Sequence, residues 1–294
     1  MNLTDPLREL LGFLGTYLSL GVVGLRYGVL GPALGRAPDD RVRDTLFRDA
    51  GRRASAVGLA GALLATGLTL AGAIHFATAR SLPLVEVLEA GQAEGAVRLV
   101  CYAVAIVGFA VVIVGLPSGW PLAAVGAIGG ALVNVLTLRW ATMVNPVHVF
   151  AGSIWIGTLF VLLTIAIPTV LAGTQTGGDK ARTVADMVNA FSPMALTAVS
   201  VLVLSGVVTA VRHLKFVAAL WTTSYGITLV LKLCVVAVVL AFGAWNWRRV
   251  KPTLGTPEGS DRIRRSATFE LAFASLVLII TSVLVSLPSP RLPK

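Results

Sequence analysis

The residues of this chain with types suited to chemistry are three histidines, a nearby methionine and three charges set inside apolar runs. His75, His148 and His213 are its only histidines, and Met143 stands five residues before His148. Imidazole binds first-row transition metals, copper among them, and a thioether selects Cu(I). Together they form a candidate capture site for a metal. Two histidines on neighbouring helices can instead ligate the iron of a b-type haem, and His148 and His213 open and close consecutive apolar runs. Arg26, Lys232 and Glu270 lie within apolar runs, where a charge costs on the order of 3 kcal/mol even on lenient scales. Arg26 and Glu270 occupy similar depths, so they are expected to pair or to share a polar network. Lys232 has no acidic residue at its depth. It must reach backbone carbonyls, Asn134 or, by snorkelling, the outer interface. The sequence shows no nucleophile–base–acid set, no HExxH and no P-loop, so the chain is expected not to be an enzyme. Any transport would be passive, gradient-coupled or driven by a partner.

The elements that position these residues follow from hydropathy. A bilayer core of about 30 Å needs about 20 apolar residues in a helix. Eight stretches qualify, near 9–34, 53–79, 97–116, 120–140, 146–171, 190–213, 223–247 and 267–287. The expected fold is therefore all-α, a polytopic membrane bundle of about eight transmembrane helices. Charged residues make up 13% of the chain and mean hydropathy is +0.84. A soluble domain carries roughly 25% charge, so no room is left for one, and the lipid bilayer is the expected partner. The net charge of +10 does not point to nucleic acid, because the basic residues fall between the apolar runs. Cys101 and Cys234 sit inside runs with no CxxC spacing and read as small buried apolar residues. The N-terminal run lacks a basic leader and a small-residue cleavage site, and reads as a retained helix. Thirty glycines suit helices that approach closely in lipid.

Alternate loops differ in basic content. The loops after helices one, five and seven carry fourteen Lys and Arg, and the opposite face eight. The richer set is expected in the cytoplasm, which puts both termini, all three histidines and Met143 on the extracytoplasmic side. A short internal repeat is also visible. LSLG (18–21) resembles IWIG (154–157), and ATGLTLAGAIH (65–75) resembles LSGVVTAVRH (204–213). Two four-helix halves, 1–140 and 141–294, related by an axis along the membrane normal, would account for it. Gly12 then matches His148, so a symmetric second site would be incomplete. Trp120, Trp140, Trp221, Trp245 and Trp247 fall near span ends, where indoles favour the interface. Trp155 lies deeper, beside Gly157. Residues 81–98 suggest a short interfacial helix with Glu86, Glu89 and Glu94 on its polar side.

From the fifth helix onward the chain resembles the copper resistance protein D family of bacterial inner-membrane proteins. The resemblance is carried by HVFAGSIWIGTLFVL (148–162), FSPMALTAVSVLVLSGVVTA (191–210), LWTTSYGITLVLKL (220–233), AWNWRRVKPTL (244–254) and FELAFASLVLIITSVLVSLPSP (269–290). It covers about half the chain, is weaker in helix one and is absent from 80–140. It implies a multi-pass permease of the bacterial cytoplasmic (inner) membrane that handles copper ions, receives them at the extracytoplasmic face and meets a periplasmic copper-binding protein. The polar marks that match the family are His148 before a Trp-x-Gly, Tyr225-Gly226 followed by Lys232, Asn246 with basic residues, and Glu270 opening the last helix. Two alternatives stand beside it: a haem b-bearing subunit of a respiratory or photosynthetic complex, and a non-catalytic subunit of a larger membrane assembly.

The expected orientation is directly testable. With Cys101 and Cys234 changed to alanine, a Gly255→Cys variant should react with an impermeant maleimide only in opened cells. A Ser289→Cys variant should react in intact cells, and the reverse pattern would invert the topology.

Overall fold

The computed structural model describes residues 4–36, 41–90, 93–133, 135, 140–214, 217–245, 248 and 257–288, and of these the backbone alone at 89–90, 93–94, 140–143 and 257–264. The fold is an all-α polytopic membrane bundle. Among the described residues seven helices are long and apolar enough to cross a bilayer, and another apolar helix, Gly119–Leu132, is shorter. In chain order they are α1 (Thr4–Leu34), α2 (Arg41–Arg80), α3 (Ala93–Ile113), α4 (Gly119–Leu132), α5 (Val144–Ala172, its helix first described at Trp140), α6 (Gly177–His213), α7 (Ser224–Trp245) and α8 (Pro257–Ser286). A short helix, Leu84–Ala90, occupies part of the segment expected to lie at the interface. Large apolar side chains cover the outer surface, with Leu196, Leu204 and Val211 of α6 about 70% exposed. Water would penalise such a continuous apolar surface; lipid does not.

α1 and α5 form the centre, and they are the most deeply buried of the spans. They meet backbone to backbone at the ends of the two repeat motifs. A Cβ on Gly21 would stand 2.7 Å from the Gly157 Cα, and one on Gly157 would stand 3.0 Å from the Gly21 Cα. Only glycine on both sides allows this approach. The Thr158 hydroxyl donates to the Gly21 carbonyl at 3.3 Å and locks the same crossing. Both helices widen into π-helical turns here, Leu25–Leu30 in α1 and Ser153–Gly157 with Leu162–Ala166 in α5. Such turns are frequent at functional positions. α2, α4, α6 and α8 pack around α1, α3 and α4 form a hairpin beside α2, and α7 lies chiefly on α8.

Helix ends depart from the hydropathy estimates in an informative way. α2 begins at Arg41 and α6 at Gly177, a dozen or so residues before their apolar runs. The reason is a polar contact that hydropathy does not register. Arg43, 7% exposed, reaches Asp186 at 2.9 Å and the Thr183 hydroxyl at 3.4 Å, while Arg36 donates to the Asp186 backbone carbonyl. Thr176 caps α6 by accepting from the Asp179 amide. The two overhangs therefore brace each other outside the apolar layer. Pro146, expected at a helix boundary, lies inside α5; neighbouring helices make this tolerable in a membrane. Trp120, expected at an interface, is buried at 7% exposure with the Arg26 guanidinium 5.6 Å from its ring centre, whereas Trp221 and Trp245 are exposed at span ends.

Gly157→Ala should lower stability by about 1–3 kcal/mol, the usual range for overpacking, seen as a lower melting temperature in detergent. Gly12→Ala, whose Cβ would have nothing within 4 Å, is the matched control and should melt like the unmodified protein.

Candidate functional site

Three helices each place one polar residue within an apolar span. His148 lies in α5, four residues after Val144, Ser205 lies in α6, eight before its end, and Lys232 lies in α7, eight after its start. Nδ1 of His148 and the Ser205 hydroxyl are 3.1 Å apart. Gly206, next in sequence, leaves room for the ring, since a Cβ there would stand 3.1 Å from its Cε1. Lys232 is half-buried and close enough to bear electrostatically on the ring, as is the Leu202 backbone. Ser205 also donates to the Val201 carbonyl at 2.6 Å, a back-bond common for hydroxyls in helices. With Nδ1 engaged, the ring's Nε2 is the nitrogen left to meet a ligand.

The other expected site residues are dispersed. His213 lies at the outer turn of α6, its Nδ1 2.9 Å from the Thr209 carbonyl and its ring stacked 6.0 Å from Tyr225. Because His148 is level with Ser205, the eight residues from 205 to 213 separate the two histidines by about 12 Å along the axis. That spacing does not suit a shared ion with bonds near 2 Å, nor a haem held between the two. His75 is exposed on an outer turn of α2, near Gly72, which faces the Arg8 guanidinium. Among the described residues no three His, Cys, Asp or Glu side chains gather into a metal-binding group. The Met143 side chain and Asn134 lie outside the described residues.

The charges inside the spans take separate partners. Arg26 sits over Trp120, within the roughly 6 Å of a cation–π contact. Its Nε is buried without a hydrogen-bond partner. Glu270 is 8% exposed and its carboxylate faces Gly243 of α7, 3.8 Å from where a Cβ would be. Among the described residues Arg26 and Glu270 form no ion pair, so the expected pairing is not the one adopted. α1 turns position 26 toward α4, while position 270 meets α7; similar depth did not put them on facing surfaces. Lys232 is close enough to His148 to act on it electrostatically, and Asn134, one of its expected contacts, lies outside the described residues. Ser205 was not anticipated; its only trace in the sequence is a hydroxyl within an apolar helix, opposite the family-matching histidine. Cys101 and Cys234 are both free thiols.

Residues 185–284 match the family model described as copper resistance protein D, which bears out the motif resemblance there and takes in Ser205 and Lys232. The chain is 31% identical over 152 residues to the copper transport protein CutJ of Bacillus subtilis (strain 168), a match covering 51% of this chain and 26% of that protein. The chain thus spans about a quarter of the length of the curated relative it matches. No solved structure matches it.

Ser205→Ala should cost about 0.5–1.5 kcal/mol, the net worth of one hydrogen bond, and release the His148 ring. Magnetic resonance of ring-labelled histidine in the detergent-solubilised protein should show one imidazole gaining mobility. An unchanged ring spectrum would mean that the bond does not hold it.

Proposed function

We propose that this chain is a permease that moves copper across the bacterial cytoplasmic membrane, with His148 as the point where the ion enters the bundle from the extracytoplasmic face. The observation that carries the reading is the polar cluster of His148, Ser205 and Lys232. It lies within the apolar spans, where such groups are costly, and Ser205 and Lys232 fall in the stretch that matches the copper resistance protein D family model. An imidazole with one nitrogen engaged and one directed to a ligand suits copper. The arginine asymmetry supports placing the histidine end outside, which puts both termini there and makes a periplasmic copper-binding protein the natural donor. His75, His213 and Met143 lie toward that same end and serve in this reading as outer contacts before His148. Lys232 holds a positive charge beside the entry point, which opposes free leakage of cations.

We also infer that the two four-helix halves, 1–140 and 141–294, derive from one repeated unit. Support comes from the reciprocal approach of Gly21 and Gly157, the signature of a two-fold contact. The second helices of the halves are also alike, at 40 and 37 residues.

His148→Ala should reduce copper-dependent accumulation in cells at least tenfold while the protein stays folded and in the membrane. The readout is cellular copper by elemental analysis against cells lacking the protein. Accumulation equal to the unmodified chain would remove His148 from the pathway.

A further inference from the structure

Toward the end of the bundle opposite His213, α1 carries an arginine whose charge no protein group answers. Arg26 lies in the π-helical turn of α1, its guanidinium 5.6 Å from the ring centre of the buried Trp120. Gly51 of α2 makes room for that indole, since a Cβ there would stand 3.1 Å from its Cζ2 and 4.0 Å from a Leu30 methyl of α1. The Arg26 Nε is enclosed without a hydrogen-bond partner. The two terminal nitrogens are not enclosed, and among the described residues they too meet no acceptor. An indole face attracts a cation but does not accept the five N–H donors that a guanidinium presents in its own plane. With Nε closed off, compensation falls to a group that the terminal fork meets outside the protein.

The depth of the guanidinium is set by its neighbours. Trp120 is the second residue of α4 and Ile113 the last of α3. Arg52, next to Gly51 in α2, donates from Nε to the Ile113 carbonyl, and the apolar run of α2 begins at 53. Arg26 is therefore level with the border of the apolar layer in three other helices, although it lies eight residues before the end of α1. Arg52 and Arg53 are exposed at this level. Among the described residues no carboxylate pairs with Arg26, Arg52 or Arg53. The first turn of α4 holds no acidic residue and its N-cap Ser118 makes no side-chain cap, so the positive end of that helix adds to the same field.

We propose that Arg26 and Trp120 form a phosphate site that holds the headgroup phosphodiester of a phospholipid from the leaflet at this end of the bundle. The planar guanidinium fork matches two phosphate oxygens, and the level is that of headgroups rather than of acyl chains. A lipid suits the site better than a free anion because the fork opens from within a membrane span, where headgroups are always at hand. The phosphodiester is common to anionic and zwitterionic lipids, and the neighbouring Arg52 and Arg53 favour the anionic ones.

The test uses the full chain, delipidated in detergent, with phosphatidylglycerol, phosphatidylcholine or inorganic phosphate added, read by native mass spectrometry and by melting temperature. The unmodified protein should hold one phospholipid tightly and melt higher with either lipid, more so with phosphatidylglycerol. Arg26→Gln should bind phosphatidylglycerol at least tenfold more weakly. Without lipid it should melt no lower than the unmodified chain, because it removes a charge that no protein group compensates. Arg26→Lys keeps the charge but loses the planar fork. It should bind several-fold more weakly, and it carries the test if the glutamine variant does not fold. Arg80→Gln, which removes an arginine stacked on Phe76, should bind lipid as the unmodified chain does. Affinity of the Arg26 variants within twofold of the unmodified protein overturns the site. Protection by inorganic phosphate equal to that by either lipid overturns the phospholipid as its occupant.

Discussion

The backbone contact between α1 and α5 is the constraint on which the rest of the bundle depends. In lipid, helices gain little from burying apolar side chains against each other, and association relies on close packing and hydrogen bonds. Gly21 and Gly157 supply the closest packing available, with no side chain on either side, and Thr158 adds a hydrogen bond at the same point. A contact made of main-chain atoms has no rotamers to adjust, so it sets the relative placement of the two helices firmly. Everything outward is then arranged around that pair. Gly152, one turn from the crossing, receives the Tyr17 ring, and α6 lies along the surface that α1 leaves open at Gly28.

Polar groups inside the apolar layer are each accommodated locally. Ser205 satisfies itself through the carbonyl of the preceding turn and has capacity left for His148. Arg26 rests over an indole rather than against a carboxylate. Glu270 turns to the small surface at Gly243. The ion pair of the buried Arg43 with Asp186 lies where α2 and α6 overhang their apolar runs. The Arg43–Asp186 pair thus lies outside the apolar layer, while Arg26, Lys232 and Glu270 sit within it beside hydroxyls and an imidazole.

Some of this was legible beforehand. The number of apolar runs, the all-α class and the importance of the Gly-containing repeat motifs follow from hydropathy and composition, which report the solvent a segment prefers regardless of its neighbours. The family resemblance singled out His148, Lys232, Asn246 and Glu270 for the same reason: a polar residue in or beside an apolar run is visible in one dimension. Helix ends were less legible. α2 and α6 continue beyond the apolar layer because Arg36, Arg43, Thr183 and Asp186 meet across a gap of some 140 residues, and no local pattern records that meeting. Residue type alone points Trp120 to an interface, and only the fold shows it buried beneath Arg26.

What the sequence determined on its own was which segments belong in lipid and how deep each polar residue sits, since both are properties of position along one helix. Which of those residues face each other was decided only by the tertiary structure. Depth places Arg26 level with Glu270, but the rotation of each helix about its axis turns one toward α4 and the other toward α7. Rotation is set by packing against neighbours, chiefly at the crossing of Gly21 and Gly157. The same rotation brings Ser205 to His148 and seats Met194 against Gly28.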